Sequence, residues 1–450
     1  MLRQSTGDGL PISNIISSIV YIQNPKEPQN LIKTLIKTPS QQPATMKSSL
    51  SLPLVLAALS AASPAKRATN QTFTPNCHDL MLNVSVTATN YKLDVPRVDS
   101  NADVGRLVDE LDRRTAPNTT QRIIGKLNIT DTFSIYAQLC LPEPAQDKHV
   151  LQILSHGGAF DHRYFAAEID PAQYSYVYAA VMAGYTVLNY DRLGNGLSQK
   201  PDAYDIVQGA VSIEILHSLT KMARDGTLLS ASIAGYPSLP STLPPLAPFD
   251  KVVHVGHSLG SQTTAAFLKR YGAESSGAIL TGFTFPLHSA LGPAGIYSFE
   301  YAASNNPALY GALGSGYIVP SSPTVLQSLF FHRNGTSDPT GFTDEALAYG
   351  ESIKQPFAIG DALSARGLLD FGYSPSFAGP LQFFLGEFDY LVCGGDCKGN
   401  FDPDYPKSVY PNATAIETYV QPGAGHGNVL HLNANAGYAV SLKFLEENGL

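Results

Sequence analysis

The chain has 450 residues, of which 44% are hydrophobic and 15% charged, with a formal net charge of -8. This composition excludes global disorder and supports a sizeable core in one large domain or two ordinary ones. The first 67 residues hold seven of the 29 basic and two of the 37 acidic side chains, so the body beyond them carries -13, which argues against nucleic acid or an anionic membrane surface as a partner. There is no internal repeat and no apolar run long enough to span a bilayer.

Residues 1–45 scatter Pro, Gln, Ser and Thr without a period. Met46-Lys47, the apolar run Leu50 to Ala62 and the small residues Ser60-Ala61-Ala62-Ser63 then follow the order of a secretory signal peptide. Such a signal begins at the initiator Met, so Met46 is expected to be the true start and 1–45 a disordered upstream extension. Lys66-Arg67 has the form of a dibasic processing site. The expected division is therefore 1–45, a signal and processing segment over 46–67, and one domain over 68–450. Six N-x-S/T sequons follow the signal, at Asn70, Asn83, Asn118, Asn128, Asn334 and Asn412, and N-glycans are expected on some of them. Four cysteines, Cys77, Cys140, Cys393 and Cys397, fit an oxidising compartment. Three pairings are open. Cys393 with Cys397 would close a Gly-rich loop, and Cys77 with Cys140 would tie the first two strands. Secretion is the expected localisation.

Leu80 to Tyr91 alternates and reads as a strand, with Phe133 to Leu141 as its hairpin partner across a helical insert from Asp103 to Arg114. His149 to Ser155 and Thr186 to Tyr190 are continuous apolar runs, as expected of strands buried on both faces. Helical stretches follow them, from Ala172 to Ala183 and from Ile206 to Arg224. A Pro-rich loop, Tyr236 to Phe249, leads to Val252-Val253-His254-Val255 and then Gly256-His257-Ser258-Leu259-Gly260, with a helix expected from Gln262 to Tyr271. Gly277 to Thr284, Pro380 to Leu385 and Ala415 to Val420 read as further strands, and 432–450 as a closing helix. Strands alternating with helices specify an α/β fold with a mostly parallel central sheet flanked by helices. Residues 285–375 break the rhythm. They lack a buried-strand run and are rich in aromatics, including Tyr297, Phe299, Tyr301, Tyr310, Tyr317, Phe330 and Phe331, so they read as a helical cap inserted before the penultimate strand, above an apolar substrate pocket.

The G-x-S-x-G pattern at a strand-to-helix turn suits a nucleophile elbow, because the sharp turn leaves no room for a Cβ two residues to either side of the serine. A serine hydroxyl needs an imidazole to take its proton and a carboxylate to orient that imidazole. Gly386-Glu387-Phe388-Asp389 follows the next-to-last strand and supplies Asp389, with Glu387 and Asp396 as rivals. Gly423-Ala424-Gly425-His426-Gly427 follows the last strand and supplies His426 as a mobile, exposed base, with His431 as the runner-up. His156-Gly157-Gly158 fits an oxyanion loop, with the Gly158 amide (Ala159 next) pairing with that of Leu259. His156 and His257 read as structural, and Asp191 and Arg192 as bridges between the loops around the site. No cofactor is expected, and neither a phosphate-loop pattern nor a metal-ligand cluster is evident.

The set GHSLG, HGG, DRLGNGLS, GEFD and GAGHG, together with the signal and sequons, resembles secreted fungal-type serine hydrolases of the α/β-hydrolase superfamily over roughly residues 77–450. One departure is Gly158-Ala159, where many relatives carry a bulkier residue and then Pro. The resemblance implies the fold and the Ser-His-Asp triad and says little of the substrate; the expected activity is hydrolysis of a carboxylic ester or lactone of a small, rather apolar molecule. It leaves open amidase, peptidase or acyltransferase chemistry on the same three residues, or a non-catalytic ligand-binding member of the fold.

Overall fold

A computed structural model describes residues 75–450 except 114, 234–245, 286–297, 336, 400, 401 and 403. The upstream extension, the signal segment and Asn70 lie outside the described residues, as do most of the Pro-rich loop and Tyr297 at the start of the cap.

Among the described residues, eight strands form one sheet, in the order β1 (Asn76–Leu93), β2 (Ile123–Leu141), β4 (Thr186–Tyr190), β3 (Val150–Ser155), β5 (Lys251–His257), β6 (Gly277–Thr281), β10 (Leu381–Gly386), β11 (Ile416–Gln421). β1 (Asn76–Leu93) and β2 (Ile123–Leu141) pair antiparallel along nearly their whole lengths, from Asn76 opposite Leu141 to Leu93 opposite Ile123. Both run longer than their apolar segments. Their far halves alternate apolar and polar residues, and Ser85–Thr132, Thr87–Thr130 and Thr89–Asn128 bond across the exposed face. The insert between them is α1 (Asn101–Asp112), capped by Ser100, whose hydroxyl accepts from the Asp103 amide.

β4 (Thr186–Tyr190), β3 (Val150–Ser155), β5 (Lys251–His257), β6 (Gly277–Thr281), β10 (Leu381–Gly386) and β11 (Ile416–Gln421) are mutually parallel. β3, β4, β6 and β10 are buried along their entire length, which is why they read as unbroken apolar runs. The expected helix at 172–183 is broken at Ser175 into α2 (Pro171–Tyr174) and α3 (Tyr176–Met182), because the Ser175 hydroxyl caps a new helix by accepting from the Tyr178 amide. α4 (Gly209–Arg224) and α5 (Leu259–Tyr271) complete the helices before the cap.

The cap is mixed rather than helical. β7 (Phe299–Tyr301), β8 (Tyr317–Pro320) and β9 (Phe357–Ala358) form a small antiparallel sheet, and β8 is fully buried, against the expectation of no buried strand there. Strands of two to four residues are too short to show a period. Around them lie α6 (Ala302–Asn305), α7 (Pro307–Tyr310), α8 (Pro323–Phe330), α9 (Asp344–Ile353) and α10 (Ile359–Ala365). α11 (Tyr390–Cys393), α12 (Tyr405–Val409) and α13 (Ala434–Glu447) complete the chain.

Cys77 is bonded to Cys140, directly opposite it in the hairpin, and Cys393 to Cys397, so none of the four is free. The five described sequon asparagines, Asn83, Asn118, Asn128, Asn334 and Asn412, are all exposed. Among the described residues, no helix is long and apolar enough to cross a membrane.

Candidate active site

Parallel strands deliver their following loops to one edge of the sheet, and the loops after β3, β4, β5, β6, β10 and β11 meet there. β5 ends at His257, and Ser258 turns directly into α5 with φ 53° and ψ -116°. This left-handed backbone costs a non-glycine residue about 1–3 kcal/mol. It is held by the Ser258 amide donating to Thr281 O (2.8 Å) and by Ser258 O accepting from Gln262 N (3.0 Å). The flanking glycines are steric necessities: a Cβ on Gly256 would lie 2.6 Å from Ser261 Cα, and one on Gly260 2.0 Å from Ser155 O.

Asp389 caps α11, its Oδ1 accepting from the Val392 amide at 2.9 Å. Its Oδ2 accepts from His426 Nδ1 at 2.7 Å, and both side chains are completely buried. With the proton on Nδ1, Nε2 is an acceptor, and it has no hydrogen-bond partner among the described residues. Of Asp389's rivals, Glu387 is occupied by Lys398 and the Gly423 amide, and Asp396 accepts from the Lys398 amide.

The expected mobile, exposed base is corrected: His426 is 1% exposed, and its loop is pinned. Gly427 N donates to Phe330 O of the cap (2.7 Å), and Gly425 N to His431 Nε2 (3.0 Å). The glycines around His426 allow close packing beneath the cap. His431 is the brace of this loop. Its Nδ1 donates to Gly427 O, its Nε2 accepts from the Gly425 and His332 amides, and burial pulls its pKa down to about 4.

His257 is structural in its contacts. The Thr281 hydroxyl donates to Gly256 O, so His257 Nδ1 donates to that hydroxyl at 2.9 Å. The His257 ring stacks on Tyr164 at 4.4 Å and lies 4.9 Å from the His426 ring, while burial first, then the neighbouring His426 and His156, hold its pKa well below 6.5. Gly282, at φ 57°, lets the two rings approach: a Cβ there would sit 2.9 Å from His257 Cε1 and 3.0 Å from His426 Cε1. Tyr164 also donates to Asn428 Oδ1 at 3.1 Å. Neither Tyr164 nor Gly282 was singled out in the sequence, because nothing local ties them to a site.

His156 donates from Nδ1 to Gly157 O and accepts at Nε2 from the Arg192 amide, and burial holds it neutral with a pKa of about 3. Arg192 reaches the cap, where its guanidinium meets both oxygens of Asp361 at 2.9 and 2.8 Å, both residues being buried. Asp191 accepts from His162 N and Nδ1 and from Leu197 N. Asp161, His162 and Asp191 have ligand atoms within 4.8 Å of one another, so the fold does gather a trio of metal-ligating residue types that the sequence did not suggest. They follow neighbouring strands, and Asp161 is already engaged by Arg163 and Gln355.

Above Ser258 lies a narrow cavity of about 60 Å3. Gly158, Ala159, Ser258, Leu259 and Gln262 line the sheet side, and Phe299, Leu329, Phe330, Phe357 and Ala365 the cap side, with Leu391 at the edge. Both oxyanion candidates, Gly158 and Ala159, therefore border the same space as Leu259. Ala159 takes φ 65°, and its carbonyl is held by the Gln355 amide of the cap.

A profile of the alpha/beta hydrolase family matches residues 152–440. The chain belongs to the alpha/beta hydrolase family. The hydrolase's fold is similar to that of a bromoperoxidase from Bacillus anthracis, at 20% identity and a TM-score of 0.45 over 70% of this chain and 96% of that one. It is similar also to an esterase from Exiguobacterium antarcticum (14%, 0.42, over 70% and 95%) and an epoxide hydrolase from Vigna radiata (16%, 0.43, over 70% and 94%). No curated protein sequence matches the hydrolase.

Proposed function

We propose that the protein is a secreted, glycosylated serine hydrolase that cleaves a carboxylic ester or lactone of a small, rather apolar molecule without a cofactor. The observation that carries this reading is the buried Asp389–His426 pair, whose Nε2 is left without a partner on the same sheet edge as the strained Ser258 turn. Ser258 Oγ attacks the substrate carbonyl while His426 Nε2 takes its proton. Asp389 holds the imidazole tautomer and stabilises the imidazolium. The amides of Leu259, at the N-terminus of α5, and Gly158 stabilise the oxyanion. His426 then protonates the leaving alcohol, and water cleaves the acyl-enzyme with His426 again as base. A serine rather than an aspartate at position 258 favours acyl transfer over epoxide opening. The apolar walls support an apolar substrate.

The test is turnover of chromogenic short-chain esters, with Ser258→Ala as control, alongside labelling by a fluorophosphonate probe. Wild type should turn over and label at Ser258, and the variant should do neither. Full activity in Ser258→Ala would overturn the mechanism. Exposed sequons and two disulfides support secretion. Expression from Met46 in a eukaryotic host should give medium-borne protein whose mass falls on deglycosylation, and retention inside the cell would reject it.

A further inference from the structure

The cavity over Ser258 has apolar walls with one exception besides the nucleophile itself. Gln262 carries the other polar side chain among the described lining residues. It stands four residues after Ser258 on α5, one turn on, where the helical period returns to the same face. The residue is 5% exposed, and its Oε1 is buried without a hydrogen-bond partner among the described residues.

An amide oxygen buried in that state costs about 1–3 kcal/mol. Leucine or methionine would fill similar space at no such cost. A carboxamide with an unpaired end in a residue that lines an otherwise hydrocarbon cavity calls for a polar group that arrives with the substrate. The carboxamide offers an acceptor at Oε1 and donors at Nε2, so a hydroxyl, which can both donate and accept, matches it. The cap walls Phe299, Leu329, Phe330 and Phe357 offer it no competing side-chain acceptor.

We propose that Gln262 is a specificity-determining residue that selects esters bearing a hydroxyl close to the scissile carbonyl, the hydroxyl hydrogen-bonding to the Gln262 carboxamide. The proposal rests on Ser258 as the nucleophile. One helical turn is about 5.4 Å, so the hydroxyl belongs two or three bonds from the carbonyl carbon or the ester oxygen. It takes no part in the reaction, in which water converts ester to acid and alcohol. A site with an unmet carboxamide rejects the analogue that lacks the hydroxyl, because the carboxamide then stays unpaired.

Two matched ester pairs test this and separate the acyl from the alcohol half of the substrate. One is p-nitrophenyl 3-hydroxybutyrate against p-nitrophenyl 3-methylbutyrate. The other is 2-hydroxyethyl butyrate against propyl butyrate, followed by acid release. In wild type, kcat/KM should favour the hydroxyl-bearing member of at least one pair by about tenfold or more. In Gln262→Met that ratio should fall to within about threefold of unity, and the ratio cancels any loss common to both members. Gln262→Leu is the second variant should Gln262→Met not accumulate, and fluorophosphonate labelling reports a folded site in each protein. Equal rates within both pairs in wild type, or a preference that survives in the labelled variants, would overturn the role of Gln262 while leaving the serine hydrolase intact. Absence of both labelling and turnover in wild type would bring down the two together.

Discussion

His426 Nδ1 donates a 2.7 Å hydrogen bond to Asp389 Oδ2, and neither side chain reaches solvent. The other carboxylate oxygen is fixed by the Val392 amide, so the acid cannot turn away. In Asp389→Asn the amide can present N–H to the ring and push its proton to Nε2, the atom that accepts from Ser258 in the proposed mechanism. We expect kcat on a chromogenic ester to fall by about 10^3–10^4-fold with an unchanged melting curve. Glu387→Gln, at the residue that holds Lys398 and Gly423, is expected to stay within about tenfold. Steady-state kinetics with circular dichroism on both variants checks this.

Arg192 and Asp361 join the β4 loop to the cap through a buried ion pair in which one guanidinium nitrogen donates to both carboxylate oxygens. Arg192→Met strands the Asp361 carboxylate, whose pKa burial already pushes up, and should cost about 3–5 kcal/mol in urea unfolding. Arg192→Met combined with Asp361→Leu should recover much of that loss, because no charge is then left unpaired.

The two disulfides should differ in worth. Cys77–Cys140 closes a separation of 63 residues, and Cys393–Cys397 one of 4. On loop-closure entropy the first constrains the unfolded chain by about 4 kcal/mol and the second by about 2 kcal/mol. Paired Cys→Ser replacement at each bridge, followed by denaturant unfolding, should give that order. The shorter bridge also folds the chain around Asp389, whose carbonyl accepts from the Cys393 and Gly395 amides. Its loss should therefore lower kcat more than the loss of Cys77–Cys140.

Burial depresses the pKa of His156 and His254 to about 3 and of His431 to about 4. A histidine depressed in the folded state contributes stability that is complete above its ordinary value of 6.5 and is lost as pH falls toward the folded value. Between pH 6.5 and about 4 the unfolding free energy should therefore decline, by about 1.4 kcal/mol per pH unit for each such histidine. His431→Gln should flatten that slope by one histidine's share, whatever it does to stability at neutral pH. An unchanged slope would reject the assignment.

Much of the fold was legible because its signals are local. Buried parallel strands such as Thr186–Tyr190 read as unbroken apolar runs, and their limits agree with the structure. The tight turn at Ser258 demanded glycine at 256 and 260, where a Cβ would strike neighbouring backbone. The cap reads as helical, without its three short strands, because strands as short as Phe357–Ala358 carry no period and depend on partners far along the chain.

The sequence by itself determined the order of the site loops, because each follows a strand whose composition announces it, and parallel strands send those loops to one edge. It also located Ser258, Asp389 and His426 within short glycine-marked segments. Only the tertiary structure separated the parts played by three neighbouring histidines. His426 is bonded to Asp389, His431 braces the loop, and His257 is stacked on Tyr164. It alone also joined Arg192 to Asp361 across 169 residues and left Gln262, a residue lining the cavity, with its Oε1 unpaired. These outcomes depend on which distant segments exclude water from a given polar atom, and no spacing along the chain records that.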